Sequence, residues 1–317
     1  MNKHHAADLL DCLRAEGVRE ELLEETEAFR KKHPVPAELA DRVPAPTYVY
    51  YGKAVWEKAL AALLCGENLL LSGPKASGKN VLAENLSCLF GRPQWDISFH
   101  INVDAAYLIG SDTFDGEKVV FRPGPVYLCA LQGGFGVLDE INMARNEALA
   151  VLHAALDFRR VLDVPGYARV PLKEETRFIA TMNYGYAGTR ELNAALCSRF
   201  AVLDMPVIGE EDFRKLLKTT FPELKAQPGE QFMRLFYDLE RKAAAAEISD
   251  RALDLRGILD ALRLMGRGLS SGDALDMCIC GKVFDPLEQE LIRDVIRARL
   301  PMDLTGAELF EESKAEA

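Results

Sequence analysis

The spacing of the hydrophobic positions changes along the chain and predicts three regions. Between residues 6 and 32, leucines such as Leu9 and Leu13 recur among Glu and Arg at helical spacing, with a break at Gly17. Four prolines follow before residue 47 and exclude a continuous helix there. Residues 1–46 are therefore predicted to form an N-terminal helical extension that ends in a proline-rich joint.

From residue 47 to 206, short apolar runs alternate with amphipathic helical segments. Val55, Ala59 and Leu63 mark one helical face, and a predicted buried strand at 68–71 follows it. Strands that alternate with helices are typical of a parallel sheet covered by helices. The region is predicted to be an α/β domain of the doubly wound type.

After Pro206 the strand pattern stops and only helical spacing remains. Four helical stretches follow, at about 210–220, 230–247, 251–267 and 285–300. Residues 207–317 are therefore predicted to form a separate α-helical domain with a short tail.

The net charge of the chain argues against some classes of binding partner. The 317 residues carry a formal net charge of −11, with 38 Lys and Arg against 49 Asp and Glu. Non-specific nucleic-acid binding needs clustered basic side chains, so a nucleic-acid partner is not expected. Seven scattered cysteines indicate free thiols in a reducing compartment. No stretch resembles a membrane span or a signal peptide, so we expect a cytoplasmic protein without a membrane partner.

A glycine-rich motif follows the first strand of the α/β region. The pattern GxxxxGK begins at Gly73, ends at Lys79 and leads into a helical segment. In that setting the loop N–H groups and the helix N-terminus face phosphates, and the lysine adds positive charge. The predicted nucleotide-binding residues are Gly73, Pro74, Lys75, Ala76, Ser77, Gly78, Lys79 and Asn80.

Asn80 departs from the usual form of this motif. A Ser or Thr hydroxyl normally ligates Mg²⁺ at this position. An asparagine can offer its carbonyl oxygen instead, directly or through water. Asn80 is therefore predicted to be a metal ligand that holds Mg²⁺ less firmly, so that fast hydrolysis is less secure than nucleotide binding.

Two later apolar strands end in polar residues. The run at 135–138 leads into Asp139 and Glu140, and adjacent residues on a strand point in opposite directions, so the two carboxylates receive different tasks. Asp139 is predicted to orient the Mg²⁺ shell and Glu140 to polarise the attacking water. The run at 177–182 ends at Asn183.

Three runs of sequence together resemble the MoxR-type AAA+ ATPases. They are GGFGVLDEINMA at 133–144, ATMN at 180–183 and GYAGTRELN at 185–193. Within that group the chain looks closest to the CbbQ and NorQ proteins and the dynein-related AAA+ subfamily, over about residues 47–300. The resemblance implies a P-loop NTPase sheet of the AAA+ type followed by a helical lid domain, with ATP and Mg²⁺ as cofactors.

The resemblance assigns roles to two polar side chains of the α/β domain. It implies that Asn183 is the sensor 1 residue, which positions the attacking water together with Glu140. It also implies that Arg199, in the run LCSRF, is a finger that reaches the γ-phosphate bound by a neighbouring subunit. Arg190 and Arg160 remain the alternatives for the finger.

In the helical domain, the run LDLRGIL at 253–259 is similar to the sensor 2 helix of the family. The resemblance implies that Arg256 touches the nucleotide and couples the angle of the lid to the nucleotide state. Arg251 lies about one turn away and remains the alternative.

Two further segments predict β-hairpins in the α/β domain. One lies near 110–116, where the family carries an insertion in its second helix, and the other near 161–170. Exposed loops with a lone aromatic residue are plausible contacts for a substrate or a pore. Phe114 has two interpretations, a contact of this kind or a side chain tucked inward, and both stay open at this stage.

The resemblance further implies a mode of action. A finger that works across subunits implies a homo-oligomer, which is a hexamer by family resemblance. The family implies a remodelling or activating chaperone that acts on another protein, commonly beside a partner that carries a von Willebrand factor type A domain. Two alternatives remain, a nucleic-acid motor and a nucleotide-dependent scaffold with little turnover, the second suggested by Asn80.

Overall fold

The computed structural model describes residues 4–164, 166–167, 169–183 and 191–311. The chain divides into two compact units, Met1–Pro206 and Val207–Ala317. This division falls where the strand pattern of the sequence stops. Within the described residues, no helix combines the length and the apolarity needed to cross a membrane.

The first unit is built on a parallel sheet. The strands in chain order are β1 (Leu69–Gly73), β2 (Gln94–Ser98), β3 (Gly110–Phe114), β4 (Val119–Pro123), β5 (Phe135–Asp139), β6 (Val161–Leu162), β7 (Val170–Pro171), β8 (Arg177–Asn183) and β9 (Ala201–Asp204). Five of them form the sheet in the order β2-β5-β8-β1-β9, and every neighbouring pair is parallel. The predicted fold class, a parallel P-loop sheet flanked by helices, is confirmed.

Helices surround this sheet. The helices of the first unit are α1 (Ala6–Ala15), α2 (Glu20–Lys32), α3 (Lys53–Leu64), α4 (Lys79–Leu89), α5 (Ala105–Ile109), α6 (Pro125–Gln132), α7 (Asn146–Leu149), α8 (His153–Leu156) and α9 (Ala194–Cys197). Helix α4 contacts β1, β5 and β8, while α6 contacts β2 and β5. These contacts bury the strands and leave their carboxyl ends to carry the polar side chains.

The N-terminal extension is part of the first unit. Helix α1 packs on α4, and α2 packs on α3. Their apolar faces are fully buried, as Leu9, Leu13 and Leu23 show. Gly17 adopts a left-handed φ of 71° between the two helices, which is why one helical pattern becomes two helices. The predicted N-terminal extension is thus helical over 6–32 and packs on the α/β region within the same compact unit.

Sequence spacing missed the two edge strands of the sheet. In β2, Trp95 and Ile97 are buried while Asp96 and Ser98 are exposed. In β9, Leu203 is buried between exposed neighbours. Edge strands lie half in solvent, so they lack the continuous apolar runs that mark β1, β5 and β8.

Both predicted hairpins are present. β3 pairs with β4 in antiparallel register, and β6 pairs with β7. Phe114 lies at the tip of the first hairpin and is 65% exposed, so it is not tucked inward. The rings of Phe121 and Tyr167 lie 4.7 Å apart and join the two hairpins.

The second unit is helical. Its helices are α10 (Glu210–Thr220), α11 (Ala226–Ala244), α12 (Leu255–Met265), α13 (Ser271–Cys278), α14 (Pro286–Arg297) and α15 (Gly306–Leu309). The side chains of Asp254, Ser270 and Asp285 cap α12, α13 and α14 by accepting from backbone N–H groups of the first turn. The four predicted helical stretches correspond to α10, α11, α12 and α14.

Candidate functional site

The glycine-rich loop joins β1 to α4 in a conformation that few residues can adopt. Ala76 and Gly78 have φ values of 62° and 80°, which turn the backbone toward the start of α4. A Cβ on Gly73 would lie 2.5 Å from the carbonyl oxygen of Met205, so only glycine fits there. The loop therefore forms a backbone cradle in front of the N-terminus of α4, as a phosphate site requires.

Lys79 folds back over this cradle. Its Nζ donates to the carbonyl oxygens of Gly73 at 3.0 Å and Pro74 at 2.7 Å, and to Ser77 Oγ at 3.1 Å. Burial lowers the pKa of Lys79 to about 8, against the opposing effect of the nearby carboxylates of Asp139 and Glu140. The ammonium group of Lys79 thus bonds to neutral acceptors, and a bound anion can take the place of these acceptors.

Asn80 contacts the first of the two predicted carboxylates. Its Nδ2 donates to Asp139 Oδ2 at 3.1 Å. This bond orients the amide and leaves the carbonyl oxygen Oδ1 of Asn80 as a ligand beside the carboxylate. A hard cation such as Mg²⁺ prefers this type of oxygen donor and keeps several waters or phosphate oxygens as further ligands.

The donor set therefore fits a cation that arrives with a nucleotide. No group of three or more His, Cys, Asp or Glu side chains among the described residues could hold a metal ion without such help.

Thr181 is a site residue that the sequence did not reveal. It lies on β8, is buried, and its Oγ1 donates to Asp139 Oδ1 at 2.6 Å. Thr181 Oγ1 also accepts from the backbone N–H of Glu140 at 3.0 Å. One hydroxyl thus fixes both the carboxylate and the following turn. A polar residue within an apolar strand, two positions before Asn183 and on the same face, was the available signal.

Glu140 and Asn183 lie together at the carboxyl ends of β5 and β8. Asn183 Nδ2 donates to Glu140 Oε1 at 3.3 Å. Strand register also places Asn183 beside Gly73, at the start of the glycine-rich loop. The structure therefore brings the predicted water-activating pair next to the predicted phosphate loop.

The different directions of the two carboxylates have another cause than the one predicted. β5 ends at Asp139, and Glu140 has a left-handed φ of 55°. A non-glycine residue in this region is unusual and is often found at functional sites. The separation between Asp139 and Glu140 therefore arises from a turn, and the expectation based on strand alternation is corrected.

Arg199 lies in a second polar cluster of the first unit. Its Nε donates to the carbonyl oxygen of His153 at 3.1 Å, and its Nη1 donates to that of Ala195. Asp157 Oδ2 lies 3.5 Å from Arg199 Nη2 and 2.6 Å from Arg159 Nη2. These two arginines hold the pKa of Asp157 at about 2, mainly through the hydrogen bond from Arg159.

The alternatives for the finger differ in their surroundings. The guanidinium of Arg160 is half-buried and donates to the carbonyl oxygens of Lys173 and Thr176. It therefore stabilises the backbone of its own unit. Arg190 lies outside the described residues. Arg159 was not considered from the sequence, although it is more exposed than Arg199 and shares its carboxylate.

The sensor 2 candidates belong to the second unit. Arg256 is exposed in the first turn of α12, where its backbone N–H donates to Asp254 Oδ1 at 3.1 Å. The guanidinium of Arg251 lies 6.0 Å from the ring centroid of Phe284. The contact of either arginine with a nucleotide stays a prediction.

The chain is similar to several known proteins. A family model described as an AAA domain of the dynein-related subfamily matches residues 68–200. The uncharacterised protein YojN of Bacillus subtilis is 31% identical over 271 residues, which cover 84% of this chain and 88% of that protein. An uncharacterised protein of Staphylococcus haemolyticus is 31% identical over 256 residues, which cover 78% of this chain and 97% of that protein.

Among solved structures, a candidate ATPase from Cytophaga hutchinsonii covers 88% of this chain and 97% of its own, with 14% identity and a TM-score of 0.44. The residues matched by the family model contain the glycine-rich loop, both carboxylates, Asn183 and Arg199.

Proposed function

This chain belongs to the bacterial family that includes YojN, with an AAA domain of the dynein-related subfamily at its centre, and we propose that it is a MoxR-type ATPase that remodels a partner protein. ATP and Mg²⁺ are its proposed cofactors. The observation that carries the ATPase proposal is the continuous set of hydrogen bonds from Asn80 through Asp139 and Thr181 to the turn at Glu140. It lies in the same unit as the phosphate cradle and ends at the water-activating pair.

The side chains of the proposed site have separate tasks in the reaction. Lys79 holds phosphate oxygens, because its ammonium group can exchange loop carbonyls for a stronger anionic acceptor. Asp139 and Asn80 hold the metal shell. Glu140 takes a proton from the attacking water while Asn183 orients it, which are positioning and acid–base tasks of the kind that phosphoryl transfer requires.

Two variants test this division of tasks. Lys79→Ala should weaken ATP binding about 100-fold or more, since it removes the phosphate-binding charge. Glu140→Gln should keep the affinity for ATP within about twofold while turnover falls at least about 100-fold, because only the base is lost. Isothermal titration and a phosphate-release assay measure the two effects. Equal losses of ATP affinity in both variants would refute the assignment.

We further propose that the chain works as a homo-oligomeric ring, a hexamer by family resemblance, in which Arg199 completes the site of a neighbouring subunit. Two observations support an interface at this position. Phe158 is 93% exposed, which is unusual for a large aromatic side chain, and it follows Asp157 directly in the chain. Asp157 in turn holds Arg199 and Arg159 side by side.

Mixing experiments test the proposed interface. Arg199→Ala and Lys79→Ala subunits should each be nearly inactive, and mixing them should restore part of the turnover, because an intact loop can meet an intact finger. Arg159→Ala is the matched control, since it removes a neighbouring arginine from the same carboxylate. Restoration by Arg159→Ala in place of Arg199→Ala would move the finger to Arg159. No restoration by either would refute a finger in this cluster.

The action on a protein partner is the least direct part of the proposal. It rests on the family resemblance, which also suggests a partner with a von Willebrand factor type A domain. Glu140→Gln should accumulate the ATP-bound state and so retain a partner that wild-type chains release. Mass spectrometry after affinity purification from the native host should then identify a protein enriched with Glu140→Gln and ATP but not with Lys79→Ala. Equal recovery with both variants would contradict a nucleotide-driven partner.

One observation favours a second candidate function, a nucleotide-dependent scaffold with little turnover. Asn80 replaces the usual hydroxyl, and its amide occupies Asp139. A wild-type chain that binds ATP tightly but hydrolyses it no faster than Glu140→Gln would support the scaffold. Turnover well above that of Glu140→Gln would exclude it.

A further inference from the structure

Three asparagine side chains are buried among the described residues, and one of them differs from the others. Asn68, which is 5% exposed, donates to the carbonyl oxygen of Leu156 at 3.1 Å and accepts from the N–H of Phe178 at 2.9 Å. Asn85 likewise donates to one backbone group and accepts from another. In both amides the nitrogen and the oxygen therefore each have a partner, as is usual for buried polar groups.

Asn142 is equally buried, at 3% exposure, but uses only half of its amide. Its Nδ2 donates to the carbonyl oxygen of Asn183 at 2.8 Å. Its Oδ1 is buried without a hydrogen-bond partner among the described residues. A flipped amide would place the oxygen against the carbonyl of Asn183 and lose the only bond. The fold thus keeps a costly unpaired oxygen in order to keep this N–H in place.

The position of Asn142 connects it to the proposed reaction. Asn142 lies in the single turn Ile141–Met143, directly after Glu140. The residue whose carbonyl it holds, Asn183, uses its own side chain to contact Glu140. Asn142 therefore holds the backbone of Asn183, and the side chain of Asn183 in turn contacts Glu140, which stands two residues before Asn142 in the chain.

We propose that Asn142 is a positioning residue that acts through Asn183, an inference that rests on the proposed ATPase function. Its N–H sets the distance between Asn183 and Glu140, which are joined by a 3.3 Å bond. Small displacements of reacting groups are costly for rate but not for ground-state binding. The unpaired oxygen of Asn142 lowers the stability of the fold, while the N–H of the same amide holds Asn183 in its position beside Glu140.

Asn68 provides a matched control, because its side chain contacts the same strand, β8. It contacts β8 near the amino end, at Phe178, whereas Asn142 contacts the carboxyl end, at Asn183. Asn68→Ala leaves two backbone groups unpaired, while Asn142→Ala leaves one unpaired and removes an unpaired oxygen. The loss of thermal stability should therefore be larger for Asn68→Ala, and the loss of turnover larger for Asn142→Ala.

The full-length variants are compared by Tm, ATP affinity and steady-state kinetics with ATP and Mg²⁺. Asn142→Ala should lower kcat about tenfold or more, with KM and ATP affinity within about twofold of wild type. Asn68→Ala should keep kcat within about twofold despite its lower Tm. An unchanged kcat in Asn142→Ala, or losses of kcat that follow Tm in both variants, would overturn the inference.

Asn142→Asp supplies a second readout that a merely structural role would not move. When ionised, the new carboxylate repels the carbonyl of Asn183, and when protonated it can donate to it. The kcat of Asn142→Asp relative to wild type should therefore rise as the pH is lowered from 8 to 6, and a ratio independent of pH would overturn the assigned donor role. If the wild type does not hydrolyse ATP, the proposed function falls together with this inference. If it does and Asn142→Ala is fully active, only this inference falls.

Discussion

Two cations are buried near the two ends of helix α4, and the fold treats them in opposite ways. Arg92, 1% exposed, follows the C-terminal end of the helix and donates twice to the carbonyl oxygen of Gly133, with Glu175 3.7 Å away. Lys79, 7% exposed, is the first residue of the helix, and its hydrogen-bond acceptors among the described residues are neutral groups of its own loop.

The helix dipole sharpens this difference. A cation is favoured near the C-terminus of a helix and disfavoured near the N-terminus, where N–H groups point outward. Arg92 therefore has its charge balanced within the chain, while Lys79 adds a positive charge to an end that is already positive. A buried cation in that position favours the proposed role of Lys79 in binding an anion. The comparison thus distinguishes a structural cation from the proposed ligand-binding one without reference to a motif.

The largest expected effect is an opposite response of the two positions to the same substitution. Arg92→Met should lower the free energy of unfolding by about 3 to 5 kcal/mol, because it leaves two carbonyl oxygens without a donor and removes the buried cation beside Glu175. Lys79→Met should leave that free energy unchanged or raise it, since the cost of burying the charge exceeds the attraction of Asp139 and Glu140. ATP affinity should nonetheless be lost in Lys79→Met. Chemical denaturation and ATP titration measure both quantities, and a similar loss of stability at the two positions would break the comparison.

The sequence singles out Lys79 as a candidate phosphate-binding residue and gives no sign of the role of Arg92. Lys79 belongs to a local pattern in which a strand, a glycine-rich loop and a helix are contiguous, so the motif carries its own structural setting. Arg92 is followed by a proline, and its neighbours in the sequence give no indication that it is buried. Its burial depends on carbonyl oxygens from residues 33 and 133, which only the tertiary fold brings near.

The same reasoning explains which site residues escaped prediction. Thr181 and Asn142 act through hydrogen bonds between β8 and the end of β5. Those bonds exist because β5 and β8 are neighbours in the sheet, with Leu138 opposite Ala180. Strand order in a parallel sheet is not encoded in local spacing, since connected strands need not be neighbours. Sequence alone could place residues at strand ends but could not tell which ends meet.

A smaller effect is expected at Asn80, the neighbour of Lys79. A hydroxyl can donate to Asp139 and ligate a cation through the same atom, whereas Asn80 divides the two tasks between its nitrogen and its oxygen. Asn80→Thr should therefore lower the Mg²⁺ concentration needed for half-maximal turnover, by about three- to tenfold. Turnover measured across a Mg²⁺ series at saturating ATP tests this. A clear loss of activity in Asn80→Thr would show that the amide is the preferred ligand.

An effect of similar size is a pH dependence that only one of the two cations should show. Burial lowers the pKa of Lys79 from 10.5 to about 8 in the folded chain, whereas an arginine stays charged throughout. Between these two values the unfolded chain holds a proton that the folded chain has lost, so this group makes stability rise with pH from about 8 to about 10.5.

ATP binding should respond in the opposite direction, because phosphate oxygens favour the charged lysine. Affinity should fall about tenfold between pH 7.5 and pH 9, as the free lysine loses its proton before ATP arrives. Lys79→Arg is the control, since a guanidinium stays charged over this range, and its affinity should be nearly independent of pH whatever its value at pH 7.5. ATP titrations of the wild type and of Lys79→Arg at pH 7.5 and pH 9 test this prediction. A parallel decline in both would mean that another group titrates, and Lys79 would then lose its special place in the comparison with Arg92.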